Sequence, residues 1–319
     1  MNRSIATSST ATLIATLLCA AACGPAEQES RGQSQVDEPA PITRVIGSGS
    51  TDFTINKPII NRVWGASDKD VWAAGNDGNM LHWDGKAWRR IAVPTGSDLL
   101  GIWGASDKDV WAVGESGVVI HWDGTAWSRT TTPVPDSAAL NDIWGSNGNN
   151  IWAVGDRGVV IQYNGSAWGA INLPQINNLL SVWVGGSTDA WIGADLGLLL
   201  HWDGSSWSEV ASGSAAAITG LRGTASNKVW MAKQNREVWS YDGTKWTKTT
   251  AATGQRIWLT SDMDVWTYDN SYALHFTTAW TPTSFGTLNA VWSSSPTSGW
   301  AFTTSEILRF SSGSWSLNW

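Results

Sequence analysis

Tryptophan recurs in this chain on a fixed grid, and that grid limits the architecture more than any other feature. Twenty-three of the 25 tryptophans occupy four repeating positions, and the pattern runs seven times between Trp64 and Trp315. The first position holds Trp64, Trp103, Trp144, Trp183, Arg222, Trp258 and Trp292. The second follows eight residues later in every copy, from Trp72 to Trp300. The third is always aromatic: Trp83, Trp122, Tyr163, Trp202, Tyr241, Phe276, Phe310. The fourth is always tryptophan, from Trp88 to Trp315. A period of roughly 40 residues is the signature of solenoids and propellers.

Each copy divides into four short extended runs. In the second copy they are Leu100–Ala105, Val110–Gly114, Val118–Trp122 and Ala126–Thr131. Asp123-Gly124 separates the last two, and Asp-Gly between β-rich runs signals a hairpin. No sustained helical period appears after Thr43. The reading is all-β: a seven-bladed β-propeller with four antiparallel strands per blade. An open stack would need polar terminal repeats, yet the first and last copies are as tryptophan-rich as the others. Closure into a ring covers both faces. Each buried indole, at about 150–250 Å², contributes roughly 4–6 kcal/mol gross, an upper bound before chain entropy.

The repeats run at about 60–98, 99–139, 140–178, 179–217, 218–253, 254–286 and 287–319, within a domain spanning 45–319. Spacing inside a copy hardly varies, whereas the link from fourth to first position runs from 12 to 17 residues. This link is the expected crossover between blades, on one face with the turns that join second to third strands. Variable loops on a rigid scaffold are where function usually sits. Phe53–Pro58 resembles the end of a fourth strand. Two placements follow, a clasp beside the last strand of blade seven or a segment lying over blade one.

Residues 1–22 read as a targeting segment: Arg3 alone is charged, Ala11 to Leu18 is mostly apolar, and Ala20-Ala21-Ala22 precedes Cys23. This resembles a bacterial lipoprotein signal peptide, which implies acylation of Cys23 and a stable membrane anchor. An ordinary secretory signal is the alternative. Gly24 after the cysteine is similar to lipoproteins sent to an outer membrane, periplasmic or surface-facing. Residues 23–44 then form the lipidated end and a disordered tether, rich in Pro, Gln, Glu and Ser. Removal of residues 1–22 leaves 19 basic against 27 acidic residues, scattered without a basic stripe, so nucleic acid is not an expected partner. A monomer is expected.

The polar residues offer little chemistry. His82, His121, His201 and His275 share one repeat position, just before the third aromatic. Equivalent positions on separate blades are held apart, so no metal cluster is expected from them. Asp84, Asp123, Asp203 and Asp242 each precede a glycine, with Asn164 in their place once. There a short acceptor caps backbone N–H groups of the hairpin. No histidine lies off the grid for a Ser/His/Asp triad, and no pair of acids stands out for glycoside hydrolysis. No catalytic residue, metal or cofactor is assigned.

Departures from the grid are more informative. Blade five carries Arg222 in place of the first tryptophan, Lys233 where others have Gly75, Gly114 and Gly155, and Gln234-Asn235-Arg236 in the following turn. Arg222, Lys233, Asn235 and Arg236 form a candidate ligand-binding patch for an anion. Drift of the repeat is the competing reading, in which Arg222 stacks on neighbouring indoles.

The unit VWGASDKDVWAAGNDGNMLHWDGKAW resembles the tandem repeats of large predicted surface lipoproteins of gliding soil bacteria, over residues 60–319. That resemblance implies a propeller and export, without a known activity. The turn Trp122-Asp123-Gly124-Thr125-Ala126-Trp127 is similar to the Asp-box turn of sialidase-like and photosystem-assembly-factor-like propellers, one residue short between Asp and Gly. The Val-Trp-Gly and Trp-Asp-Gly elements are similar to tectonin-type lectin repeats. The expected function is therefore a non-enzymatic, surface-exposed, lipid-anchored module binding glycan or protein. The alternative is a structural or assembly factor of the cell envelope, and a sialidase-like hydrolase is the least supported reading.

Overall fold

The computed structural model describes residues 57–284 and 287–318. Their strands form seven four-stranded antiparallel sheets, each built from one uninterrupted stretch of chain. Blade one comprises Ile60–Ser67, Asp70–Gly75, Met80–Trp83 and Trp88–Ile91, hydrogen-bonded in that order. Successive first strands pack against one another around the ring, and the first strand of blade seven, Leu288–Ser295, returns to that of blade one. The expected seven-bladed propeller is what the chain forms.

In blade two the strands run Leu99–Ser106, Asp109–Gly114, Val119–Trp122 and Trp127–Arg129, within two residues of the sequence-based bounds. The outer strand stops early. After Thr130 donates to Val119, the chain meets Pro133 and Pro135, which cannot extend a ladder.

Alternation explains which residues enter the core. Second-position indoles sit on the second strands, which are buried on both faces, and Trp300 is 0% exposed. Each lies between two blades. The Trp72 indole stacks on His82 of its own blade at 3.9 Å and meets Trp127 of blade two edge-on at 5.3 Å. The same edge-on contact recurs for Trp111 with Trp168, Trp152 with Trp207, Trp191 with Trp246, Trp230 with Trp280 and Trp266 with Trp315. It closes the ring where Trp300 meets Trp88 at 5.1 Å and 82°. Offset and edge-on geometries suit the quadrupoles of such rings, adding about 0.5–1.5 kcal/mol per pair.

Among the described residues, the seam between blades seven and one is packed side by side, without strand exchange. Blade seven is complete with its own four strands, ending in Ser314–Leu317. Phe53–Asn56 lie outside the described residues. Lys57 and Pro58 belong to no strand, and the Lys57 ammonium donates to the Ser305 carbonyl at 2.5 Å. Polar contacts reinforce the seam, where Asp68 of blade one accepts from the Ser294 and Ser298 hydroxyls and faces Arg309 at 3.7 Å.

Each histidine has a fixed partner. His82, His121, His201 and His275 bond through Nε2 to Asp70, Asp109, Asp189 and Asp264 of their own blades, at 2.7–3.1 Å. Where blade three has Gln162, the partner becomes Asn150, at 3.0 Å. Where blade seven has Arg309, the partner is Ser298, and the guanidinium covers Trp300 at 4.7 Å. This pairing orients the ring that stacks on the second-position indole.

Candidate functional site

The inner strands carry the first-position residues, and a simple rule governs where these point. The next blade offers a seat one residue past its own first position: Gly65, Gly104, Gly145, Val184, Gly223, Leu259 and Ser293 around the ring. Where the seat is glycine, an indole lies on it. A Cβ at Gly104 would stand 2.5 Å from the Trp64 ring, one at Gly145 2.7 Å from Trp103, and one at Gly65 2.6 Å from Trp292. Trp183 seats on Gly223 and donates to its carbonyl at 3.0 Å. Trp258 donates likewise to Ser293, at 3.1 Å.

Two seats are bulky, Val184 and Leu259, both buried. The residues that would occupy them are Trp144 and Arg222. The Arg222 guanidinium lies 4.3 Å from the Trp144 ring centre, and Trp144 also meets Trp258 at 6.1 Å. Those contacts join blades three, five and six, so these side chains lie in the central channel. Arg222 bonds to Asp142 at 3.3 Å and to the carbonyls of Leu221 and Val182. Asp142 also accepts the Val182 N–H at 3.1 Å.

A bulge delivers further side chains to the same place. In six blades the ladder slips three residues before the first position, as between Ile60 and Arg62. The extra residue staples the neighbouring blade: Asn61 donates to Leu99 at 3.0 Å and Asn141 to Leu179 at 2.9 Å. The following position holds Arg62, Gly101, Asp142, Ser181, Gly220, Arg256 and Ala290. Arg62, Asp142, Arg222, Arg256 and Tyr268 line one cavity enclosing about 380 Å³ with its opening. Burial, then the nearby Arg256, pushes the Arg62 guanidinium down to about 10, with Asp142 opposing.

The other proposed residues lie elsewhere. Lys233 is fully buried, and its ammonium donates to the carbonyls and hydroxyls of Ser212 and Ser214 at 2.6–3.1 Å. Desolvation lowers its pKa. It ties the incoming crossover to blade five. Asn235 accepts the Glu237 N–H at 3.3 Å. Arg236 pairs with Asp269 of blade six at 2.5 Å and covers Tyr272 at 4.9 Å. Arg222 shares no partner with these three, so the structure brings Lys233, Asn235 and Arg236 to one turn and sends Arg222 to the channel. Cys23 lies outside the described residues.

A second surface is defined by the turns between second and third strands. Blades one to four fold Asn76–Gly78, Glu115–Gly117, Asp156–Gly158 and Asp195–Gly197 into single 3₁₀ turns. Their tips are Asp77, Ser116, Arg157 and Leu196, all at φ of 54–57°. A left-handed conformation costs a non-glycine residue about 1–2 kcal/mol. It is held by the adjoining crossover: Gly78 N–H donates to Ser97 at 3.0 Å and Gly158 N–H to Asn177 at 2.8 Å. Turns and crossovers therefore share one face, as expected. All four tips are exposed, Leu196 at 77%, beside the crossover carrying Ile176 at 83%.

The seven four-stranded sheets and their channel define the protein as a seven-bladed β-propeller. Among solved structures, the chain is similar to YCF48 bound to D1 peptide (TM-score 0.62, 14% identity, 81% of this chain and 95% of that one). It is also similar to the WD40 propeller domain of Doa1 (0.69, 9%, 80% and 92%) and to YCF48 from Cyanidioschyzon merolae (0.63, 15%, 81% and 97%). At these identities the likeness shows the fold. No protein-family model matches the sequence, and neither does any curated protein.

Proposed function

We propose that this protein is a non-enzymatic binding module, lipid-anchored through Cys23 at the outer membrane, that recognises a polypeptide through its turn-bearing face. The carrying observation is the set of four tips with one backbone conformation and four different side chains, an acid, a hydroxyl, a cation and an aliphatic. A rigid frame with varied, exposed chemistry suits specific recognition. Leu196 and Ile176 add an apolar contact beside Arg157. Polypeptide is favoured over glycan because no described tryptophan ranks among the exposed large hydrophobics, which leaves no open indole platform for a sugar ring. YCF48 has been solved with a bound peptide, and the same mode is proposed here by analogy of fold.

Crosslinking and affinity capture from envelope fractions test the reading. The wild-type protein should retain a polypeptide that the Ile176→Asp, Leu196→Asp double variant releases. Equal capture by both proteins, or binding confined to glycan arrays, would overturn it. Cys23→Ala should move the protein from the membrane fraction to the soluble envelope fraction.

A further inference from the structure

We propose that the central channel is an oxyanion site, in which Arg62 and Arg256 hold a carboxylate or phosphoryl group beside Tyr268. Charge balance motivates the assignment. Three guanidiniums and a single carboxylate line the cavity. Asp142 is engaged by Arg222 at 3.3 Å. Among the described residues, no carboxylate lies within 4 Å of Arg62 or Arg256. Two half-buried cations of like sign face one cavity in a chain whose net charge is −7. Taking cations out of water without a counter-charge is costly, and a bound anion removes that cost.

Shape supports the same conclusion. Gly220 has no side chain to enter the cavity that Arg62, Arg222 and Arg256 line, while its equivalents Gly101, Ser181 and Ala290 are buried against neighbouring strands. The bulky seats Val184 and Leu259 turn Trp144 and Arg222 inward, and Arg222 in turn occupies Asp142. Arg62 donates through one nitrogen to the Asn61 carbonyl at 3.0 Å, which leaves the rest of its guanidinium, with Arg256, to a ligand. Planar guanidiniums present paired N–H donors matched to carboxylate and phosphate oxygens. Such a group is either free in solution or carried on a chain.

This site stands apart from recognition by the turn face, and its test needs no protein partner. Inorganic phosphate is titrated into the purified protein, with melting temperature and calorimetric heat as readouts and sodium chloride at matched ionic strength as the reference. The expected result is a saturable rise with phosphate alone. Arg256→Met should weaken the phosphate Kd at least ~10-fold and melt higher than wild type without phosphate, since it removes an uncompensated cation. Arg62→Met provides the same readout if Arg256→Met does not fold, and the exposed Arg129→Met should leave the phosphate response intact. A tetra-aspartate peptide competing with phosphate more strongly than acetate would identify a chain-borne carboxylate; competition by acetate alone would indicate a free ion. Chloride matching phosphate, or full responses in both channel variants, would overturn the assignment.

Discussion

The guanidinium of Arg222 rests 4.3 Å above the indole of Trp144, joining two blades that are not neighbours in the ring. Neither residue has a glycine seat in the following blade, because Val184 and Leu259 stand there. Two substitutions in seats thus account for two side chains turned into the channel.

The seat rule predicts an asymmetry among glycine variants. Gly104→Ala places a Cβ 2.5 Å from the Trp64 ring, and overpacking of this kind costs about 1–3 kcal/mol. Gly169→Ala, with nothing within 4 Å, should change stability by less than about 0.5 kcal/mol. Urea denaturation followed by tryptophan fluorescence measures both, and equal effects would remove the rule.

Closure through contacts between side chains makes the seam a test of cooperativity. Trp300→Ala deletes the contacts to Trp83, Trp88 and the Arg309 guanidinium and should cost about 3–5 kcal/mol. Removal of residues 287–319 should abolish the folded state altogether rather than leave six intact blades. Loss of strand circular dichroism on that deletion is the expected outcome; a six-bladed remnant with a sharp transition would contradict it.

Acid stability should bear the mark of the Asp-Gly turns. Asp84, Asp123, Asp203 and Asp242 are held at about 2, below the ordinary 3.8. The leading cause is the Ala87 N–H for Asp84 and the Thr125, Ser205 and Thr244 hydroxyls for the others. Depressed carboxyls stabilise the fold above about pH 4, and that contribution is lost as pH falls from 4 to 2. Asn164 makes the same turn without charge, accepting from Ser166 and Ala167 at 3.0 and 3.1 Å. Replacing all four aspartates by asparagine should therefore flatten the melting temperature across that window. An unchanged slope would show that other groups govern it.

The buried His275–Asp264 pair offers a natural swap. Asp264 is 0% exposed, so Asp264→Ala leaves the histidine without its acceptor at a cost of about 1–3 kcal/mol. Blade three already contains the neutral equivalent, Gln162 with Asn150. The double variant Asp264→Asn, His275→Gln should recover much of that loss, and a double-mutant cycle reads the coupling. Purely additive effects would rule out a structural pair.

The fold was legible because the aromatic grid encodes local and inter-blade packing with one periodicity. The role of the aspartates before glycine was legible for the same reason, since an Asx-type turn is a matter of neighbours in sequence. The channel was less so. Arg222 attracted notice together with Lys233 and Arg236, yet their shared blade was misleading: Lys233 is consumed by Ser212 and Ser214, and Arg236 by Asp269. The informative signal lay in Val184 and Leu259, which acquire meaning only once each first-position residue is known to reach the blade after its own. Arg62 and Arg256 carry no sequence signal of their own: both fall two residues before the first position, Arg62 just after a bulge and Arg256 in a stretch of unbroken register. Asp70 and its equivalents, partners of the histidines, give no sign of that pairing in the sequence, since eleven or twelve residues separate them.

Because every sheet is encoded by one unbroken segment and, among the described residues, no strand is lent across the seam, blade number is uncoupled from strand pairing. A duplication or deletion of one copy inserts or removes a whole sheet with its edges finished. Gene rearrangement in such a chain leaves the remaining strand ladders intact, so its whole cost falls on the contacts between blades.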